Sequence, residues 1–287
     1  MPKIGDLDII NTTSTSLTLA ARVNLTNPTE YSASVPFMDI HIIKNGSLLG
    51  HATVRNIAVK PGNNDNLLVH AVYAPYDMGG ADSKAVGREL LSQYISGFNT
   101  TLTLRTHEGS IPTQPSLGKA LSNFPVEVPA PRLEPPHQHP PPSHPDDPDD
   151  PDDPDDDDAD EAPHFIADAT MHLFTSTATF TLLSPLRHTT VFITRINATA
   201  VYHGDDVGHI LYELPFAVPP VTEDGEGVVT PRLPVDWSLG SVGYDAVKNA
   251  LGGTLRMEAV AEVGVRIGRF REGVWFRGRG IGAKVRL

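Results

Sequence analysis

Apolar side chains alternate with polar ones at Leu17, Leu19, Ala21 and Val23, the period-two pattern of a strand with one buried face. The alternation stops at Asn27-Pro28, where proline lacks a backbone donor and keeps the preceding residue out of the helical region. A second strand is predicted over Phe37 to Ile43, and Asn45-Gly46 then supplies the positive-φ pair of a tight hairpin turn. A third strand follows over Leu48 to Val59, a turn at Pro61-Gly62-Asn63-Asn64, and a fourth strand over Leu67 to Tyr73. This segment therefore predicts a β-meander packed on one face. The period then changes. Val86, Leu90, Leu91, Tyr94, Ile95 and Phe98 recur at helical spacing, with Asp82 or Ser83 as the cap and Gly97 as a left-handed stop. Leu102 to Leu104 returns to β-structure, and Pro112 to Pro131 predicts an irregular connection ending in a short strand around Phe124 to Val128.

The same landmarks return further along the chain. A strand over Phe174 to Leu182 runs into Ser184-Pro185, at an offset of 185 − 28 = 157 from the first such proline. His203-Gly204 through Gly208-His209 echoes Asn45-Gly46 through Gly50-His51 at 208 − 50 = 158. A second helix is predicted over Ser241 to Leu251, with Tyr244, Val247 and Leu251 on one face, at 241 − 82 = 159. Two strands, Leu255 to Val265 and Val274 to Leu287, close the chain. A near-constant offset across three landmarks predicts two copies of one unit.

Charge separates the copies. Residues 134 to 163 hold 13 of the 35 acidic residues and none of the 22 basic ones, which leaves 35 − 13 = 22 acids against 22 bases elsewhere. The net charge of −13 is thus local, and the rest lacks the basic footprint of a nucleic-acid binder. The alternating arginines from Arg266 to Arg286 read as the polar face of strands. Proline in the acidic stretch blocks helix and sheet, and like charges repel, so a disordered linker is predicted there. The expected organisation is a first domain over 1–133, the linker over 134–163 and a second domain over 164–287. At 287 residues and 39% hydrophobic content, each half can bury a core. The absence of cysteine excludes disulfides and thiol chemistry. No apolar run of membrane-spanning length and no signal peptide is present in the sequence as given.

Candidate chemistry is sparse. Five glycosylation sequons begin at Asn11, Asn24, Asn45, Asn99 and Asn197. No nucleophile elbow, zinc-protease helix, P-loop or dinucleotide fingerprint occurs, so no catalytic, cofactor or metal site is assigned and a non-enzymatic protein is expected. His137, His139 and His144 stand beside aspartates, but proline-rich chain offers no turn to hold ligands in register. His51 and His209 each follow a repeated glycine and read as a turn feature lacking a visible second ligand. The helices are the only non-β elements. Leu90, Leu91, Tyr94, Tyr244 and Val247 on their apolar faces are the candidate lining of a lipid cleft.

Val23-Asn24-Leu25-Thr26-Asn27-Pro28-Thr29, Val35-Pro36, Asn45-Gly46 with Leu49-Gly50, and Pro61-Gly62-Asn63-Asn64 together resemble a known family. They are similar to fungal vacuolar-membrane proteins with tandem late embryogenesis abundant group 2 domains, also called WHy domains, the autophagy-termination family. The resemblance covers most of residues 5 to 105; in the second half only Pro185, Gly204 and Gly208 persist, with Ser184 where the family has asparagine. It implies a mostly β fold of two fibronectin/immunoglobulin-like antiparallel β-sandwiches, each with one α-helix. It also implies a vacuolar or other endomembrane lumen, with a cytoplasmic location as the alternative for a chain without an anchor. The function expected is a non-enzymatic lumenal interaction or lipid-contacting module, with a lipid or membrane protein as partner and a link to autophagy regulation. The alternatives are a stress-protective structural protein and a secreted surface or glycan-binding module.

Overall fold

A computed structural model describes residues 3–130, 165–172, 174–221, 226–238 and 254–286. The predicted helix over Ser241 to Leu251, with Tyr244 and Val247, and the linker 134–163 lie outside the described residues. The fold is mostly β, with one sheet in each half of the chain.

In the first half, β1 (Lys3–Thr12), β2 (Leu17–Asn27), β3 (Ala33–Lys44), β4 (Ser47–Val59) and β5 (Gly62–Tyr73) lead to α1 (Pro75–Ile95). β6 (Thr101–Arg105), α2 (Pro115–Leu121) and β7 (Val126–Pro129) complete it. The strands form one curled antiparallel sheet in the order β1-β2-β5-β4-β3-β6-β7. Its turns follow the local chemistry. Asn45 and Gly46 both have positive φ, 49° and 77°, and close the β3–β4 hairpin between Lys44 and Ser47. After β4, the buried Asn64 side chain accepts from the Lys60 amide at 2.7 Å and donates to the carbonyls of Lys60 and Gly62 at 2.8 and 3.1 Å. β1 and α2 are additions to the sequence reading, and α2 occupies the stretch expected to be irregular.

α1 begins earlier than Asp82, with Pro75 at its first turn and a break at Gly80 (φ 72°, ψ −152°), a conformation open essentially to glycine. It ends as expected. Gly97 is left-handed (φ 76°), and the Phe98 and Gly97 amides donate back to the carbonyls of Gln93 and Tyr94 at 3.0 and 3.2 Å.

The second half contains β8 (Ile166–His172), β9 (Thr177–Leu182), β10 (Val191–Tyr202), β11 (Asp205–Tyr212) and β12 (Phe216–Val218). The short β13 (Val228–Val229), β14 (Leu233–Pro234) and β15 (Asp236–Trp237) precede the long hairpin β16 (Thr254–Ile267) and β17 (Phe270–Arg286). Here the repeat becomes a topology. β14 pairs with β9 and β15 with β11, so the segment from Leu233 to Trp237 takes the place that β5 holds between β2 and β4. The order β9-(β14, β15)-β11-β10-β16-β17 then repeats β2-β5-β4-β3-β6-β7. Gly50 faces Tyr73 across the ladder, and Gly208 faces Trp237 in the same way. His203 and Gly204 repeat the positive-φ pair of Asn45 and Gly46. Ser184 also replaces asparagine without loss of role, since its Oγ accepts the Leu186 amide at 3.2 Å just as Asn27 Oδ1 accepts that of Thr29 at 3.1 Å.

The copies differ in closure. β8 pairs with β17 in parallel, Ala283 to Arg286 against Ala169 to His172, which closes the second sheet into a ring. Among the described residues no pairing joins β1 to β7, so the first sheet is open at that seam. Among the described residues, three clusters of buried apolar side chains belong to the second sheet, around Met257 and Phe276, around Leu233, and around Val218.

Candidate functional site

Alternation along the strands of the first sheet turns Leu19, Val23, Ile40, Ile42, Val54 and Val69 to its concave face. These side chains remain only half-buried, because they line a cavity of about 800 Å³ rather than fill a core. The same cavity continues between apolar residues of the second sheet, among them Phe180, Ile196, Met257 and Phe276. Few polar side chains reach it, chiefly Thr106, Thr199, Thr230, Glu258 and Glu272. The indole N–H of Trp237, another lining residue, is buried without a hydrogen-bond partner.

α1 lies against this space because two different faces of it are used. Leu90, Leu91, Tyr94 and Ile95 line the cavity. The serine face covers the edge of β17 that β16 leaves free. Ser92 Oγ accepts the Trp275 amide at 3.0 Å, Ser96 Oγ accepts the Arg277 amide at 3.0 Å, and Glu89 accepts the Trp275 indole N–H at 2.8 Å. The spacings match: four helical residues rise about 6 Å, close to the roughly 6.6 Å between alternate strand residues. A helix of the first half thus seals a strand edge of the second. Burial pushes the Tyr94 phenol up to about 12. Burial also raises that of Tyr73, with the Glu272 carboxylate adding to the effect. Both phenols stay neutral across the physiological range.

The cavity opens where its lining becomes exposed. Leu121, Phe124 and Val126 line it and yet are 36%, 75% and 48% exposed, beside the open edge of β7.

Of the residues predicted to line a lipid cleft, Leu90, Leu91 and Tyr94 thus lie on the cavity, and Tyr244 and Val247 fall outside the described residues. Asn11, Asn24, Asn45, Asn99 and Asn197 are all exposed. Asn24 accepts the Asn66 amide at 2.9 Å, and Asn197 bonds His209 at 2.8 Å. Sequence reasoning did not anticipate Ser92 and Ser96, whose only signal is their four-residue spacing on a helix that otherwise reads as amphipathic. It also left His51 without a second ligand, whereas the fold sets His51 Nδ1 2.8 Å from Asp39, beside His41 and His107. No helix among the described residues is long and apolar enough to cross a membrane.

Comparison with known families agrees with this duplicated architecture. The model of the Tag1-like fourth LEA-2-like domain matches residues 1–119, and that of the Tag1-like fifth LEA-2-like domain matches residues 158–275. No curated protein matches the chain significantly. With two successive matches, each over one of the two sheets, the chain is one of tandem LEA-2-like domains, similar to the fourth and fifth such domains of Tag1-like proteins.

Proposed function

We propose that the two domains act as one non-enzymatic, lipid-contacting module that holds acyl chains in the cavity shared by the two sheets. The observation that carries this reading is the hollow interior. Inward apolar side chains of the first sheet stay half-buried around a space of about 800 Å³, within the size range of small-molecule sites. A chain gaining nothing from such a space would collapse it, since packed interiors tolerate few voids larger than water. The ligand class follows from the lining: a long apolar body, with one ester or hydroxyl oxygen to accept from the orphan Trp237 N–H. Exposed Leu121, Phe124 and Val126 at the mouth suit contact with a bilayer. The resemblance to fungal vacuolar-membrane proteins, together with five exposed sequons, supports a vacuolar or other endomembrane lumen as the place of action, and a part in autophagy regulation.

Native mass spectrometry of the full chain purified from eukaryotic cells, with a fluorescent-lipid transfer assay, tests the proposal. Bound lipid and transfer between liposomes are expected, and Leu91→Lys, which places a charge in the cavity wall, should abolish both while the chain stays folded by circular dichroism. Protein that carries no lipid and extracts none from liposomes would reduce the module to a structural one.

A further inference from the structure

The outer face of the first sheet carries a cluster that has no part in the cavity. Ile40 and Ile42 of β3 line the cavity, so the odd residues Asp39 and His41 stand on the opposite face. Antiparallel pairing sets His51 of β4 opposite His41 on one side and Arg105 of β6 on the other. His107 takes the next outward position beyond β6, and a buried serine holds it there. The His107 amide donates to Ser110 Oγ at 2.7 Å and the Ser110 amide donates back to the His107 carbonyl at 3.0 Å. The Ser110 carbonyl accepts the Asp39 amide at 2.9 Å, which ties the turn to β3, and Ser110 itself is 0% exposed. The His41 and His107 rings stack at 4.1 Å and 18°.

We propose that Asp39, His41 and His107 form a binding site for a first-row divalent transition ion, with zinc(II) as the probe. One donor atom from each of the three lies within 4.8 Å of the others. Side-chain rotations of roughly an ångström bring such donors to the ~2.0–2.2 Å bonds that zinc makes with imidazole and carboxylate. Two imidazoles and one carboxylate favour a transition ion over magnesium or calcium, which prefer oxygen donors. The carboxylate is already oriented from behind, because its Oδ1 is bonded to His51 Nδ1 at 2.8 Å. Without an ion, His107 Nδ1 accepts the Gly109 amide at 3.1 Å, and its ring proton therefore sits on Nε2, facing Asp39 Oδ2 at 3.2 Å. When an ion takes Nε2, that proton moves to Nδ1 and the Gly109 amide, in an exposed turn, passes to water. The site loses no net proton and changes no oxidation state.

Zinc(II) titration of the metal-stripped full chain by calorimetry tests the site, with His137, His139 and His144 replaced by alanine to silence the acidic stretch. One saturable site is expected. Asp39→Asn and His41→Gln should each weaken it at least tenfold, and His51→Ala by about 10–100-fold, because it frees the Asp39 carboxylate to turn. His209→Ala, at the equivalent position of the second domain, should leave it unchanged, and magnesium in excess should not compete. In the same titration, the ¹⁵N spectrum of His107 should shift to the Nδ1–H tautomer. The absence of saturable binding up to ~1 mM, where affinity falls to about −4 kcal/mol, would overturn the site. So would binding that survives both ligand substitutions in a chain that melts normally, or zinc binding without a tautomer change at His107.

Discussion

Asn64 shows how one side chain replaces several backbone partners. Its amide serves the Lys60 N–H and the carbonyls of Lys60 and Gly62, at the bend where β4 gives way to β5. Asn64→Ala removes three hydrogen bonds made by a buried side chain, and a loss of about 1–3 kcal/mol is expected in urea denaturation. A change below a few tenths would mean that water serves these groups equally well. This turn was legible in the sequence because proline, glycine and asparagine each have a distinct local effect there. So was the Asn45-Gly46 hairpin, where both residues take positive φ. The equivalence of Ser184 with Asn27 was not legible: only the folded chain shows both oxygens accepting an amide two residues ahead.

At the scale of one element, α1 shows where pattern reasoning stops. Its apolar stripe predicted burial of Leu90, Leu91 and Tyr94, and these residues do face the interior. The stripe could not show that Ser92 would be the most buried side chain of the helix, at 0% exposure, while Phe98 just beyond the helix stays 45% exposed. A serine reads as a solvent residue unless an unpaired strand edge needs its oxygen, and that edge lies more than 180 residues away in the sequence. The start of the helix was obscured by Gly79-Gly80, which propensity penalises and which the break at Gly80 requires. Tyr94 makes the burial of this helix measurable. Its folded-state pKa, about 12, exceeds the unfolded value near 10, so above pH 10 the unfolded chain gives up a proton that the native chain keeps. Stability is therefore expected to hold below about pH 10 and to fall as pH rises towards 12, with Tyr73 contributing in the same direction. Denaturation of Tyr94→Phe should show a shallower fall over that window. An unchanged slope would place the phenol in water.

The duplication is the property of the whole molecule that was easiest to read, because turns and prolines are local signals and keep their offset. Closure was not. The parallel pairing of β8 with β17 joins segments more than 110 residues apart, and no residue in either announces its partner. Likewise β5 survives in the second domain only as the fragments β14 and β15, too short to leave a periodic trace. These long-range choices are the ones that couple the domains. Beyond its contact with β8, the free edge of β17 is sealed by α1 of the other domain, with Ser92 and Ser96 as acceptors and Lys84 placed 3.9 Å from Glu272. That ion pair is long and its lysine is half-exposed, so it adds little. The serine acceptors matter more, because an uncovered strand edge both exchanges and invites pairing with another chain. The full chain is therefore expected to unfold in a single transition. With Ser92→Ala and Ser96→Ala together, hydrogen exchange of the Trp275 and Arg277 amides should quicken at least tenfold, while Val274 and Phe276, which face Val263 and Ala261 of β16, keep their protection. The same double variant should split the denaturation curve in two, as each sheet then melts on its own. Two transitions in the unsubstituted chain, or exchange at Trp275 and Arg277 that ignores the serines, would show that the domains share a cavity wall without sharing stability.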